Sequence, residues 1–398
     1  MIKEMAFPIS EFKERLEKVR GYMKEAGMDT LLVNTPENIY YLIGHDTPGY
    51  YAYQCLIVTR DRDPVMVLRF TEGSSSKAQS WIDTFALVRD ADDPLEKTVS
   101  ILKDIKCDRG RIGIETHSWF LTVAHYERLK KLLPEAKFMD SGGIVERCRM
   151  IKSDREIAYI RKAADIVSEG MKVAIDTIEE GKTENDVAAE FHKCVVGLGS
   201  EWPGLPPFIK SGPRVALTHV TWRGRTLRKG DHIIMELPAA VRRYHAALER
   251  TVSIGEPSEA VKRMEKIVIA SLEAVFENLR PGAKVNDVCQ ACYEAQRKAG
   301  MPEADIDPKS RRGYSIGIAY PPDWGEGHII SIGPRIMGVG PEPETFKQNM
   351  TFHSPHPGGA GIVNVPPELR VAISETILVT KDGCEPLTHG VERKLFVK

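Results

Sequence analysis

A short internal repeat constrains the fold of this chain more than any other feature. The segment Gly181-Lys-Thr-Glu-Asn-Asp-Val187 recurs as Gly282-Ala-Lys-Val-Asn-Asp-Val288, and each copy follows one helical pattern and begins another. Each copy is followed by a further glycine, Gly197 or Gly300, and then by strand-like segments. Two similar halves of about 100 residues predict a fused, pseudo-symmetric domain in which helices cover an antiparallel sheet.

The repeated part follows a smaller region with a different pattern. Residues 1–150 alternate between apolar, strand-like runs and helical patterns, which is typical of an α/β domain. This region has neither a GxGxxG nor a Walker motif, so its sequence does not indicate nucleotide binding. A capping box, Ser153-Asp-Arg-Glu156, then begins a long helix. We therefore predict two domains, 1–150 and 151–398, with a ligand site where the halves of the second domain meet.

Net charge and composition indicate which classes of molecule this protein is expected to bind. The 398 residues include 55 Lys and Arg against 56 Asp and Glu, a net charge of -1, and no long basic run. This balance argues against a nucleic-acid or membrane partner and favours a small-molecule substrate. No apolar stretch has the length of a membrane span, and the first residues lack the apolar core of a signal peptide. Scattered cysteines are typical of a reducing compartment, so we expect a cytoplasmic protein.

The chemistry is concentrated in residues 208–255. Two strand patterns occur there, Ile233–Leu237 and Tyr244–Val252, and each contains one glutamate, Glu236 or Glu249. A carboxylate within an apolar strand is costly unless it has a partner or a chemical role. These two side chains are therefore the first candidates for a catalytic site.

Two explanations account for the strand glutamates. In the first, they pair with Arg250 or Arg214 and hold the sheet together. In the second, they form an acid–base site with the nearby histidines His219 and His245. We favour the second explanation because both histidines fall within the same stretch of sequence as the glutamates.

Several short motifs accompany the repeat. They are His219-Val-Thr-Trp222, Gly313-Tyr-Ser-Ile-Gly317, Tyr320-Pro-Pro-Asp-Trp-Gly-Glu326, Met350-Thr-Phe-His353 and Ile373-Ser-Glu375. With the repeat, they resemble the creatinase/aminopeptidase superfamily, which has the "pita-bread" fold, and this resemblance covers essentially the whole chain. It implies an α+β protein in which a creatinase-type α/β N-terminal domain precedes the pita-bread domain, and it implies a homodimer.

The metal ligands of the superfamily are largely missing from this chain. Its metallopeptidases use two Asp, one His and two Glu. The matching positions here hold, in order, Glu236, Ala247, Tyr314, residues 354–356 without a glutamate, and Ser374. Alanine and tyrosine cannot rebuild a hard oxygen site for two metal ions, so we expect neither a metal nor another cofactor. An adventitious metal held by Glu236, His353 and His356 stays open as an alternative.

Two metal-independent branches of the superfamily match better. The segment Ala247-Leu-Glu-Arg-Thr251 resembles the creatinases, where the glutamate contacts a guanidino group. The motifs 219–222 and 320–326 are similar to those of ectoine hydrolases, and the second is the more specific match. The resemblance therefore implies metal-independent hydrolysis of a non-peptide C–N bond, foremost the ring opening of a cyclic amidine such as ectoine to N-acetyl-diaminobutyrate. The alternatives are a creatinase-like amidinohydrolase that releases urea, an Xaa-Pro dipeptidase-like metallopeptidase, and a catalytically inactive binding domain.

The residue types suggest roles in such a reaction. Glu236 is the candidate nucleophile or base, Glu249 the anchor for the cation, and His219 the proton donor to the leaving nitrogen. Trp222 and Trp324 are candidates to stack on a planar cation. For a substrate carboxylate, the candidates are Arg69 and Arg312. The remaining substrate-binding candidates are Tyr50, His245, Tyr314, Asp323, Glu326, His353 and Glu375.

Overall fold

The structure is a computed structural model that describes residues 3–356 and 365–398. Its chain divides into two compact units. The first contains Met1–Arg149 and Val339–Pro341, and the second contains Met150–Gly338 and Glu342–Lys398. None of the helices in the described residues combines the length and the apolar character needed to cross a bilayer.

The first unit contains a six-stranded mixed sheet of order β4-β3-β2-β1-β5-β6. Its strands are β1 Thr30–Val33, β2 Cys55–Thr59, β3 Val65–Arg69, β4 Phe85–Val88, β5 Gly110–Ile114 and β6 Ala136–Asp140. Its helices are α1 Ile9–Glu25, α2 Pro36–Ile43, α3 Gly73–Gln79, α4 Pro94–Asp104, α5 Val123–Leu132 and α6 Ile144–Arg149. Helix α1 buries an apolar stripe that recurs every three or four residues, formed by Phe12, Leu16, Val19 and Met23.

The second unit is built on two four-stranded sheets. One has the order β14-β9-β8-β7 and the other the order β10-β11-β12-β13. Their strands are β7 Phe208–Ser211, β8 His232–Val241, β9 Tyr244–Ser253, β10 Tyr314–Ser315, β11 Thr351–His356, β12 Ile373–Val379, β13 Cys384–Pro386 and β14 Phe396–Val397. The helices are α7 Asp154–Thr177, α8 Glu184–Gly197, α9 Glu259–Asn278 and α10 Val285–Lys298.

The predicted repeat is present as a repeated local structure. Gly181 and Gly282 both adopt positive φ, 89° and 83°, immediately before α8 and α10. Isolated bridges then join Thr183 to Thr226 in one copy and Lys284 to Thr345 in the other. Each half thus supplies a helix pair and a sheet, which confirms the predicted pita-bread fold of pseudo-symmetric halves.

Side-chain hydroxyl groups of β12 join the two sheets of the second unit. Thr376 Oγ1 donates to the carbonyl of Ala247 at 2.9 Å and accepts from its backbone N–H at 2.9 Å. Two residues earlier, Ser374 Oγ accepts from the backbone N–H of Glu249 at 2.7 Å. Because alternate residues of a strand share one face, β12 holds β9 at regular intervals and fixes the position of Glu249.

Candidate active site

Strand register brings the two predicted carboxylates together. Glu236 on β8 lies directly opposite Glu249 on β9 and Phe208 on β7. Directly opposed residues of antiparallel strands project from the same face of a sheet. Lys210, two residues after Phe208, projects from that face as well. One face of this sheet therefore carries two carboxylates, an ammonium group and an aromatic ring.

Both carboxylates are poorly solvated. The side chain of Glu236 is 17% exposed, and Glu249 is 9% exposed. Burial raises the pKa of Glu236 to about 7; Lys210 opposes this increase and Asp323 adds to it. Burial and the neighbouring Glu236 raise the pKa of Glu249 well above its usual range. At neutral pH the pair therefore carries less negative charge than two ordinary carboxylates.

One oxygen of the Glu249 carboxyl group lacks the hydrogen bond that normally compensates burial. Among the described residues, its Oε2 atom is buried and has no hydrogen-bond partner. A buried polar atom without a partner costs about 1–3 kcal/mol, and more when it is charged. An arrangement of this kind is typical of a group that meets its partner in a ligand.

A chain of hydrogen bonds runs beside the carboxylates. Trp324 Nε1 donates to the hydroxyl of Tyr314 at 2.8 Å, and that hydroxyl lies 2.8 Å from Nδ1 of His353. Nε2 of His353 lies 2.7 Å from Oγ of Ser374, which also accepts from the backbone of Glu249. Both ring nitrogens of His353 are therefore engaged.

The imidazole of His353 is uncharged at neutral pH. Burial lowers its pKa to about 3, and the positive charge of Arg311 contributes to this decrease. Its Nδ1 lies 3.9 Å from Oε1 of Glu236, which is beyond hydrogen-bond distance. His353 thus forms an uncharged wall of the site next to Glu236.

Aromatic rings pack around Phe208, the residue that faces Glu236 from β7. Phe208 packs against Trp324, with 5.3 Å between ring centroids, and against His219, with 5.5 Å. His219 is exposed and has a φ of 54°, so its ring lies on the solvent side of Phe208. Asp323 is exposed too, and its Oδ1 accepts from the backbone N–H of Trp324 at 2.7 Å. These residues place an imidazole and a carboxylate at the outer part of the cluster.

Two cations of the cluster were not predicted. Lys210 Nζ donates to the carbonyl of Leu217 at 2.9 Å. Burial lowers the pKa of Lys210, although the negative charges of Glu249 and Glu236 raise it in part. The guanidinium of Arg311 lies 4.4 Å from the ring centroid of Tyr314. Alternate residues of β7 share one face of the sheet, so the sequence could have indicated that Lys210 lies on the same face as Phe208. Arg311 lies in an irregular segment, where no such alternation applies.

Two predicted residues lie in other surroundings. His245 is fully buried; its Nε2 accepts from the backbone of Gly204 at 2.9 Å, and its Nδ1 lies 2.9 Å from the carbonyl of Arg243. Trp222 packs edge-on against His192 of α8, with 5.5 Å between centroids. The ring of His245 thus links two loops, and the structure brings neither side chain to the glutamate pair.

Two further predicted carboxylates have cationic partners of their own. Glu326 pairs with Lys152 at 2.7 Å, and both side chains are 1% exposed. Glu375 pairs with Arg250 at 2.7 Å, with similar burial. Removing one partner of such a pair leaves a buried charge, which costs about 3–5 kcal/mol. In the structure these two glutamates stabilise the fold rather than face the cluster.

The ion pairs of two arginines exclude the first explanation of the strand glutamates. Arg250 pairs with Glu375, and Arg214 pairs with Glu184 of α8. The expected ion pairs of these arginines with Glu236 or Glu249 are therefore wrong, while the second explanation, an acid–base site, stays a prediction.

The remaining two candidates belong to the first unit. Tyr50 packs edge-on against Phe120, with 5.4 Å between ring centroids. Arg69 is paired with Asp90 at 2.7 Å, and that aspartate is 70% exposed. Their proposed contact with substrate stays a prediction.

Comparison with known proteins places this architecture in a family. Residues 158–381 match the family model "Metallopeptidase family M24", and residues 15–151 match the "Creatinase/Prolidase N-terminal domain". Because the first match covers more than half of the chain, this protein belongs to metallopeptidase family M24. The predicted superfamily is thereby confirmed, and with it a family of hydrolases.

The similar proteins do not all have the same activity in their names. The ectoine hydrolase of Halomonas elongata is 30% identical, over 99% of this chain and 99% of that protein. The Xaa-Pro dipeptidase of Pyrococcus furiosus is 27% identical, over 96% of this chain and 100% of that protein. A prolidase structure from Thermococcus sibiricus covers 97% of this chain and 99% of its own, with a TM-score of 0.81 and 22% identity, which shows the shared fold.

The residues of this chain do not fit the metal centre that the family name implies. In the described residues, no group of three or more His, Cys, Asp or Glu side chains is arranged to hold a metal ion. Of the matching positions, Ala247 has no donor atom, while Tyr314 and Ser374 offer neutral hydroxyls that are already hydrogen-bonded to His353. The side chain of His356 lies outside the described part of the chain. The donor set is thus unlike the carboxylate-rich sets that hard divalent ions prefer.

Proposed function

We propose that this protein hydrolyses a non-peptide C–N bond of a small cationic substrate without a metal ion, and that the reaction opens a cyclic amidine such as ectoine. The observation that carries this proposal is the desolvated pair of Glu236 and Glu249, which lie opposite each other on one face of the sheet. The similarity to the Halomonas elongata ectoine hydrolase supports the choice of substrate class.

The charges of the pair suit an N–C–N cation. An amidinium presents N–H donors on both sides of its central carbon, and each can be accepted by one carboxylate. The positive charge of the ligand favours the ionised forms of Glu236 and Glu249, whose pKa values are raised in its absence. Binding therefore generates the negative charge that the reaction uses.

The net reaction adds one water molecule and breaks one carbon–nitrogen bond of the ring. Glu236 either activates the water that attacks the amidine carbon, or attacks that carbon itself, in which case a water molecule then attacks the same carbon and breaks its bond to Glu236. The carbon–nitrogen bond of the ring breaks, the carbon retains the oxygen as an amide, and the leaving nitrogen takes a proton. We assign this proton to His219 because its ring lies on the exposed side of Phe208, at the edge of the cluster.

A creatinase-like reaction is the second candidate. It is favoured by the segment Ala247-Leu-Glu-Arg-Thr251, whose glutamate lies in the pair. A guanidinium has the same delocalised N–C–N unit, so the same carboxylates suit it, and the product would be urea. An Xaa-Pro dipeptidase reaction is disfavoured because Ala247 supplies no metal ligand.

Proton NMR of purified protein tests the proposal with three substrates, ectoine, 5-hydroxyectoine and creatine, in EDTA. We expect the C-methyl signal of ectoine to be replaced by that of an N-acetyl group at an undiminished rate in chelator. Urea and sarcosine would establish the creatinase-like alternative. Turnover of an Xaa-Pro dipeptide that depends on added metal, with none of the three cations consumed, would contradict the proposal.

The quaternary structure and location stay predictions from the sequence. We propose a homodimer in the cytoplasm. Light scattering of the purified protein measures the first, and fractionation of the source cells measures the second.

A further inference from the structure

One arginine of the cluster, Arg311, is held in place without an acidic partner in the part of the chain that the structure describes. The guanidinium of Arg311 lies over the ring of Tyr314, with 4.4 Å to the centroid. Gly327 covers it from another side: a Cβ atom on Gly327 would overlap Nη1 of Arg311 and would lie 3.1 Å from Cβ of Tyr314. The ring and the glycine together restrict where the guanidinium can lie, which leaves a rigid fork of N–H donors.

No acceptor within the described residues, 3–356 and 365–398, forms a hydrogen bond or an ion pair with Arg311. The side chain is half-buried, and burial lowers its pKa even though Tyr314, Asp323 and Glu236 oppose the decrease. Buried charges in proteins are ordinarily paired, because desolvation of an unpaired charge is costly. A ligand anion would supply the missing partner.

Other arginines of the same unit show what a structural role looks like. Arg250 donates to Glu375 and to the carbonyls of Ser374 and Val391. Arg312, a predicted carboxylate anchor, is fully buried over the ring of Tyr293 at 4.3 Å. Among the described residues Arg311 has no such network of acceptors, and it is only half-buried.

Arg311 also lies near the reacting groups. Its ring partner Tyr314 is hydrogen-bonded to His353, whose Nδ1 is 3.9 Å from Glu236. The positive charge of Arg311 acts on the titration of both His353 and Glu236. The guanidinium therefore lies close enough to the carboxylate pair for its charge to act on Glu236.

Lys210 is less suited to bind an anion, although it shares the face of the carboxylates. Its Nζ already donates to the carbonyl of Leu217, and its positive charge is attracted to the negative charges of Glu236 and Glu249. The cluster thus combines two carboxylates, the ammonium group of Lys210, and a guanidinium whose donors have no acceptor among residues 3–356 and 365–398. Such a set is complementary to a molecule that carries both a cation and an anion.

We propose that Arg311 binds a carboxylate of the substrate through its guanidinium fork, so that the natural substrates are zwitterionic amidino acids rather than simple amidines. This inference rests on the proposed function for the cationic end of the substrate. It adds a specificity-determining residue, one position before the arginine that the sequence suggested.

The experiment compares ectoine with the same ring lacking the carboxylate, 2-methyl-1,4,5,6-tetrahydropyrimidine. In the native protein we expect kcat/KM to favour the carboxylated ring by at least about 100-fold, because a site built for a polar group strongly rejects the analogue that lacks it. In Arg311→Gln we expect this ratio to fall to about 1. Arg311→Lys retains the charge without the fork, and we expect an intermediate ratio.

Arg223→Gln is the matched control, because Arg223 is exposed in the same unit and belongs neither to the glutamate cluster nor to its aromatic wall. We expect it to preserve the native ratio. A native ratio near 1, or an equal loss for both rings in the Arg311 variants, would overturn the inference. Circular dichroism of each variant separates loss of folding from loss of selectivity.

A binding measurement separates this inference from the proposed function. Calorimetry with both rings is performed on Glu236→Gln, with and without the additional Arg311→Gln substitution. If the native protein hydrolyses neither ring but Arg311 still makes the carboxylated ring bind at least about tenfold more tightly, the proposed function fails and the carboxylate site stands. Equal binding of the two rings overturns the carboxylate site.

Discussion

Each unit of the protein contains a pair of adjacent glutamates with little exposure, and the two pairs differ in their hydrogen bonds. In the first unit, Glu115 Oε2 accepts from the backbone N–H groups of Asn34 at 2.7 Å and Thr35 at 2.8 Å. The amide of Asn38 bridges the pair, at 2.6 Å from Oε1 of Glu115 and 2.6 Å from Oε1 of Glu146. This pair joins β5, α2 and α6 into one structure.

Titration behaviour follows from these contacts. Burial would raise the pKa of Glu146, but the hydrogen bond and charge of His117, 3.0 Å away, outweigh it and lower the pKa to about 2. In the second unit, the described residues give Glu236 no comparable donor, and burial raises its pKa to about 7. Hydrogen bonds alone do not separate the two pairs, because burial and the charge of Glu146 raise the pKa of Glu115 despite its donors, and Oε2 of Glu146 is buried without a hydrogen-bond partner among the described residues. The imidazole of His117, which lowers the pKa of Glu146, is what distinguishes the first pair from the second.

The largest expected effect tests the chemical role of the second pair. Glu236→Gln should lower kcat by at least about 1,000-fold, because an amide can neither accept the proton of water nor act as the nucleophile. Turnover is measured by proton NMR at saturating substrate. Glu115→Gln, corrected for the folded fraction, is the matched control and should retain native kcat. If Glu236→Gln retained more than about a tenth of native kcat, a chemical role for Glu236 would be contradicted.

The second prediction concerns the structural pair. Glu115→Gln should lower the free energy of unfolding by about 2–4 kcal/mol, because an amide nitrogen would face the donors of Asn34, Thr35 or Asn38. Urea unfolding followed by circular dichroism measures this change. A loss below about 0.5 kcal/mol would mean that the contacts of Glu115 contribute little to stability.

The pH dependence of catalysis sharpens the comparison further. Glu236 must be ionised to act, and its raised pKa of about 7 means that protonation begins near neutral pH. We expect kcat/KM to fall about tenfold for each pH unit below 7. A profile that stays level down to about pH 5 would assign the chemistry to a group with an ordinary carboxyl pKa.

The smallest expected effect is on stability. The pKa of Glu236 is raised from 4.5 to about 7 on folding, so the ionised carboxylate destabilises the folded state. This loss of folding free energy is absent below about pH 4.5 and reaches its full size above pH 7. Glu236→Gln should therefore be more stable than the native protein by about 1–3 kcal/mol at pH 8, and the gain should vanish near pH 4. Unfolding curves at both pH values measure it, and a gain that is independent of pH would contradict the assignment.

Much of this architecture could be predicted from local patterns. Apolar spacing indicated α1, and the capping box at Ser153 marked the start of α7, where both of its hydrogen bonds are present. The alternation of β8 and β9 indicated that Glu236 and Glu249 occupy apolar strands, although their exact opposition depends on register. Local sequence determines these features because neighbouring residues supply the contacts.

The errors and omissions share a different physical cause. Glu375 and Glu326 looked like site residues, but their partners Arg250 and Lys152 lie 125 and 174 positions away in the chain. Arg311 was missed because its place over Tyr314 depends on an irregular segment and on the absence of a side chain at Gly327. Tertiary packing decides which charges are satisfied, and sequence spacing does not reveal it.

The most direct test is a carbon-13 NMR titration of glutamate side chains, which requires no knowledge of the substrate. Spectra of the native protein, Glu236→Gln and Glu146→Gln assign one carboxyl signal from each pair. We expect the signal of Glu236 to titrate with a midpoint near pH 7, and that of Glu146 to stay ionised down to the acid limit of folding. A Glu236 midpoint at the ordinary carboxyl value near 4.5 would contradict the account, because the pair would then be no more reactive than a surface glutamate.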